Sequence, residues 1–273
     1  MKRLGLAFAL VCSVLVVGTV AHSSAPFVYV VTANQQFGTV NLATGAFYQI
    51  GPQTPEGQVN LVWGDDGSLY SLTIAGELET INPNTGQTTV VGQTGLYYNA
   101  FSLAGARGRL YLTDFANNLY AVDPSTGSAS LIRPTGMPAD PNVPFTVNAD
   151  GTINLCDESF YGLAGTLYAT FDSFTFDPNT LAMTPVVAPA LYAIDPHTGT
   201  AARVASTILN LGATVESGGR FYGFKWVTTG FTDAGPQNRS QLVALDVTSG
   251  SVQPLVMIDP AAGGITGAAP VRN

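Results

Sequence analysis

Four side chains that could ligate through oxygen, Asn60, Asn99, Glu158 and Asn210, open strand-like runs at matching places in successive stretches of this 273-residue chain. One carboxylate with three amide carbonyls suits a hard cation such as Ca²⁺, and with coordination positions left open such a set could activate water. Asp157 and Glu216 would be auxiliary ligands. Other chemistry is scarce. Of two histidines, His22 lies in a leader-like N-terminal segment and His197 sits at a variable position of a repeated turn. A Ser-His-Asp or Cys-His arrangement would have to use His197, whose sister turns carry Ala43, Asn84, Ser125 and Thr248, so it reads as an exposed turn residue. A multi-histidine zinc site is excluded by count. Cys12 belongs to the leader and Cys156 has no second thiol to pair with, so it reads as a buried structural residue. No catalytic residue is assigned.

The element that must position such residues is a β unit marked by one recurring phrase. Asn41 to Gly45, Asn82 to Gly86, Asp123 to Gly127, Asp195 to Gly199 and Asp246 to Gly250 each follow one strand-like run and precede another. Asp or Asn in first place accepts backbone N–H bonds, Pro presets φ, and the closing Gly takes the left-handed conformation. Each phrase is therefore a hairpin turn. The turn glycines are spaced by 41, 41, 72 and 51 residues, and a unit near 40 residues with several strands is the signature of a β-propeller.

In the second unit the strands read Asn60–Trp63, Ser68–Thr73, Glu77–Ile81 and Thr88–Val91. The first unit has only three, and its missing inner strand is available at the other end, in Gly264–Pro270. The expectation is an all-β propeller of four-stranded antiparallel blades, five favoured over the alternatives of six or seven, with N- and C-terminal strands closing one blade. In that wheel the four oxygen-bearing residues converge on the central channel. Channel mouths are wet and strands often open on Asn, and this plainer reading outweighs a metal cluster.

Segments 134–157, 172–189 and 228–240 interrupt the pattern. The first is expected to form a hairpin at Asn148–Gly151. The second holds Asp177–Leu181, which looks like a degenerate copy of the repeated turn. Asp65–Gly67 reads as an ordinary β-turn, and Phe171, Phe221 and Tyr222 as packing between blades.

The phrases Leu119–Gly127 and Leu191–Gly199 resemble the repeats of exported bacterial quinoprotein-like and YVTN-type propellers. That resemblance covers most of the chain after the leader. It implies the fold, while the superfamily mixes enzymes, scaffolds and members without known activity. The blade tryptophans of quinone-dependent relatives do not recur here, since only Trp63 and Trp226 exist, so no quinone cofactor is expected.

Met1–Lys2–Arg3, an apolar run from Leu4 to Val20 and small residues before Pro26 form a secretory signal peptide over 1–25. Residues 26–273 are then one domain. Loss of Lys2 and Arg3 leaves eight basic against 18 acidic residues, a net charge of −10. A phosphate-binding face is absent, which argues against nucleic acid and anionic lipid. The reading favoured is a secreted or periplasmic, non-enzymatic binding or structural propeller with an unknown protein or carbohydrate ligand. No stable membrane anchor is expected after signal cleavage. The alternative is a Ca-type lactonase or hydrolase with Glu158, Asn60, Asn99 and Asn210 around the ion.

Overall fold

The computed structural model describes residues 27–96, 100–138, 145–180, 182–206, 211–232 and 235–272. The expected signal segment lies outside these. In chain order the strands are β1 (Phe27–Thr32), β2 (Phe37–Asn41), β3 (Phe47–Gln49), β4 (Gln58–Trp63), β5 (Leu69–Thr73), β6 (Glu77–Ile81) and β7 (Thr88–Gln93). There follow β8 (Ala100–Ala106), β9 (Arg109–Asp114), β10 (Asn118–Val122), β11 (Ala129–Pro134), β12 (Phe145–Val147), β13 (Ile153–Leu163), β14 (Thr166–Asp177), β15 (Ala182–Ile194) and β16 (Ala201–Ala205). The last five are β17 (Leu211–Ser217), β18 (Arg220–Thr232), β19 (Gly235–Asp246), β20 (Ser251–Met257) and β21 (Ile265–Pro270). Among the described residues no helix is long and apolar enough to cross a membrane.

Five antiparallel sheets result, in the orders β21-β1-β2-β3, β4-β5-β6-β7, β8-β9-β10-β11, β12-β13-β14-β15-β16 and β17-β18-β19-β20. These are blades 1 to 5. Blade 1 is closed by the C-terminal β21, which pairs with β1 from Val28↔Pro270 to Thr32↔Ile265. The inner strands β21, β4, β8, β13 and β17 each touch the next around a ring, β17 returning to β21. The chain is a five-bladed β-propeller.

Burial follows from a strand's place in its blade. A second strand has a neighbouring blade on either face, so all five residues of β5 are buried. The outermost strand β7 meets solvent and has no fully buried position. Five apolar clusters fill the five seams between blades, anchored by Phe37, Phe160 and Phe224 among others. Phe221 and Tyr222 pack in these seams and Phe171 is fully buried, which matches the packing expected for them.

Antiparallel pairing sorts the connections onto two faces. Turns between third and fourth strands share the lower face with the ends of the inner strands. Hairpins between second and third strands, and the connections between blades, share the upper face with the starts of the inner strands. All five repeated turns lie on the lower face. In each, the closing glycine N–H donates to the first residue's carbonyl at 2.7–2.8 Å, with glycine φ between 67° and 78°. The leading Asp or Asn accepts the N–H two residues on at 2.8–2.9 Å.

Three readings of the sequence change. The segment 172–189 is not a loop beside the blade: β14 and β15 run on through it as one long hairpin, with β14 pairing to β15 from Leu167↔Ile194 to Asp177↔Ala182. Pro185 and Pro189 are tolerated because β15 has no partner on its outer side there and its register slips at two places. Second, β18 and β19 extend in the same way through 228–240. Third, Asp177 does head a turn of the repeated chemistry, accepting Asn179 N–H at 2.8 Å and the Thr180 hydroxyl at 2.8 Å. It caps a second-to-third strand hairpin on the upper face, the opposite side from the five copies it resembles. The Asn148–Gly151 hairpin forms as expected and adds β12 to blade 4 as a fifth strand.

Candidate functional site

The inner strands enclose an axial channel with a cavity of about 590 Å³, within the usual size of small-molecule sites. A belt of short polar side chains ties each inner strand to its neighbour. Thr266 Oγ1 donates to the Gln58 carbonyl at 2.7 Å, joining blade 1 to blade 2. Asn60 Oδ1 accepts the Leu103 N–H at 3.0 Å and lies 2.9 Å from Ser102 Oγ, joining blade 2 to blade 3. That hydroxyl shares its one proton with the Phe160 carbonyl of blade 4 at 3.0 Å. Ser159 Oγ donates to the Leu211 carbonyl of blade 5 at 3.1 Å. Trp226 Nε1 completes the circuit to blade 1 by donating to the Ile265 carbonyl at 2.8 Å. Glycines let the strands approach this closely. A Cβ at Gly162 would collide with the Gly105 carbonyl, one at Gly267 with the Asn60 backbone, and one at Gly212 with the Ile265 carbonyl.

Asn60 is held in an unusual state. Its φ is +59°, in the left-handed region, at a bulge where the β4–β5 register slips between Val59 and Val62. Asn tolerates that conformation better than most residues, and a non-glycine residue kept there is a place to look for function. Since Leu103 N–H requires an acceptor, the amide orientation is fixed, and the Nδ2 donors have no protein partner among the described residues. Asn60 also lines the cavity.

Of the other expected ligands, Asn99 and Asn210 lie outside the described residues. Glu158 and Asp157 fall within β13, but their side chains are not described. Glu216 is exposed and lines the cavity near its lower end. The oxygen by which Asn60 would ligate an ion already serves the neighbouring blade. Sequence reasoning found Asn60 but missed Ser102, Ser159 and Thr266. Their shared signal is a small hydroxyl near the start of an inner-strand run whose next few residues include a glycine (Gly105, Gly162, Gly267).

The two tryptophans both hold β21. Trp226 grips its first residue from blade 5, and Trp63 Nε1 donates from blade 2 to the Pro270 carbonyl at 2.7 Å, at the other end. The Arg272 guanidinium sits 4.7 Å over the Trp63 ring, a cation–π contact. At the upper mouth the Trp226 indole lies against Gly212 and Gly264 and is still 38% exposed.

Above the channel the long hairpins of blades 4 and 5 stand on adjacent blades. Tyr161 and Tyr168 face blade 5, packing with Leu211 and Val243. Because β13 and β14 pair without a break from Ile153↔Phe176 to Leu163↔Thr166, alternation puts Ile153, Leu155, Phe174 and Phe176 on that same face. Met183 and Pro185 pair beside Phe176 and Phe174, and Val147 beside Ile153. Those residues belong to none of the five core clusters, and Val147 and Met183 are each 60% exposed. An apolar wall thus rises from blade 4 toward blade 5.

No protein-family model matches the chain, and no curated protein does. What the fold and channel define is a class: a five-bladed β-propeller with a ligand-sized axial cavity and one differentiated face.

Proposed function

We propose that the chain is an exported, non-enzymatic β-propeller that captures a protein partner on its upper face. One observation carries this reading. The three departures from the repeat, 134–157, 172–189 and 228–240, all belong to the upper face of neighbouring blades, while the lower face carries the five nearly identical turns and short first-to-second strand hairpins. Function in a rigid scaffold concentrates where loops diverge. The apolar wall supports a protein partner, since uncovered apolar surface of this kind marks association sites. Export rests on the basic start, the apolar run and the small residues of Met1–Ala25. The YVTN-like repeats favour a bacterial periplasm, cell surface or medium.

The test shortens both hairpins to tight Asn-Gly turns, joining β14 to β15 after Phe171 and β18 to β19 after Val227, so that Trp226, Arg239 and Ser240 are kept. The ring lies below both cuts, so the far-ultraviolet spectrum and a single thermal transition should persist. Capture of partner from the extracellular fraction of the source cells, read by cross-linking, should disappear. A shortened protein that captures the same partner with the same yield would remove the face assignment.

A further inference from the structure

The upper half of the channel has a feature that a scaffold does not need. Asn60 lines the cavity, its Oδ1 is pinned by Leu103 and Ser102, and its two Nδ2 donors meet no partner among the described residues. Donors held in advance bind at little entropic cost, and they impose a requirement, because an occupant that cannot accept hydrogen bonds leaves them stranded. Thr214 also lines the cavity with a hydroxyl that makes no hydrogen bond among the described residues. At the mouth above them, Trp226 is fixed by its Nε1 bond and by two glycines, and part of the indole is left open.

Charge narrows the ligand class further. Among the described lining residues the charged ones are Asp65, Arg107, Glu216 and Arg272. All four follow or end the inner strands, so they cluster at the lower end, and no described lining residue of the upper half is charged. An anion would also meet the net −10 of the chain without its leader. The upper half therefore combines neutral hydrogen-bonding groups, a flat immobile aromatic surface and room for a small molecule.

We propose that this half of the channel binds a neutral pyranose sugar. The C–H face of the ring lies on Trp226, and ring and hydroxyl oxygens accept from Asn60 Nδ2. The site is separate from the partner surface on the long hairpins, and either can exist without the other.

The protein has only two indoles, so a Trp63→Phe variant makes Trp226 the sole indole emitter. The probes are D-glucose, D-galactose, D-mannose and N-acetyl-D-glucosamine, with D-glucuronate as the charged control. Calorimetry on the full parent protein runs alongside the fluorescence titration. At least one neutral sugar should shift Trp226 emission saturably and give a matching heat, and glucuronate should bind at least about tenfold more weakly. Asn60→Asp keeps an oxygen for Leu103 and tolerates the positive φ, but it replaces the donors with an acceptor. It should fold and lose at least about tenfold in affinity. Should Asn60→Asp not fold, Asn60→Gly, which adopts this φ freely, takes its place with the same expectation. The proposal is overturned if no neutral sugar in the panel binds, if the Asn60 variant binds as tightly as the parent, or if glucuronate binds better. Failure here with hairpin-dependent capture intact removes the sugar site alone. Sugar binding with hairpin-independent capture removes the partner surface alone.

Discussion

The glycine that ends each lower turn serves two purposes, and Gly127 shows both. Its φ is +78°, and a Cβ there would also run into the Gly92 carbonyl of the preceding blade. Gly67 has the same φ of +78° with nothing within 4 Å of the Cβ position. The pair separates conformational strain from crowding. Gly67→Ala should cost about 1 kcal/mol, the ordinary penalty for an L residue in that region. Gly127→Ala should cost about 3 kcal/mol, because the blade-to-blade contact must also open. In thermal melts the second variant should therefore fall several degrees below the first, and equal melting temperatures would show that the seam is loose at that point. The left-handed requirement was legible in the chain, since the repeated phrase ends on glycine every time. Crowding was not, because the carbonyl responsible belongs to another unit. Asn60 carries the same lesson. Its type and place at the head of an inner strand could be read, but its bond to Leu103 crosses between blades and has no local signature.

At the scale of the element, the five lower turns have one geometry and two chemistries. Asn41 and Asn82 lead the turns of blades 1 and 2, and Asp123, Asp195 and Asp246 those of blades 3, 4 and 5. The aspartates ionise more easily than usual. Asp246 is held down to about 2, chiefly by the Thr248 hydroxyl, then the Ser249 hydroxyl and the Thr248 N–H. Asp123 is lowered mainly by the Ser125 hydroxyl and Asp195 mainly by the His197 N–H. A depressed folded value contributes stability above the ordinary aspartate pKa near 3.8 and loses it as pH falls toward about 2. Asn makes the same turn without titrating. Asp246→Asn should consequently flatten the acid limb of the melting curve between about pH 4 and pH 2 while leaving a folded protein at neutral pH. An unchanged acid limb would mean that the turn hydrogen bonds do not distinguish carboxylate from carboxylic acid. Such turns were the most legible elements, because Asx, Pro, Thr and Gly each act locally. The long hairpins were the least legible. Apolar alternation continues through Phe174 and Phe176, but Pro185 and Pro189 in the returning strand read as loop residues unless that strand is known to lie on an edge.

For the whole molecule, closure concentrates on one strand. The first unit lacks an inner strand and the tail carries a spare one, which made the closed ring readable before any coordinates. How strongly the ring is fastened was not readable, because both tryptophans reach β21 from other blades, Trp226 across 39 residues and Trp63 across 207. Trp226 holds Ile265, Trp63 holds Pro270, Thr266 reaches across to Gln58, and β1 pairs along the length. Ile265, Ala268 and Ala269 are buried in two of the five apolar seams. Ending the chain after Gly264 would leave blade 1 with three strands and expose the edge of β1 and the seams to blades 2 and 5. The remaining four blades form an open arc whose ends have lost their partner, so the single cooperative melt of the parent should broaden and begin at lower temperature. Both indoles should shift to the red as they lose their carbonyl partners and their cover. A synthetic peptide spanning Gly264–Asn273, added in trans, can rebuild the same backbone ladder by strand addition. It should return the emission and the sharp transition in a saturable, concentration-dependent way. A truncated chain that melts like the parent, with unshifted tryptophan emission, would mean that the wheel is held by its five seams alone and that β21 is dispensable.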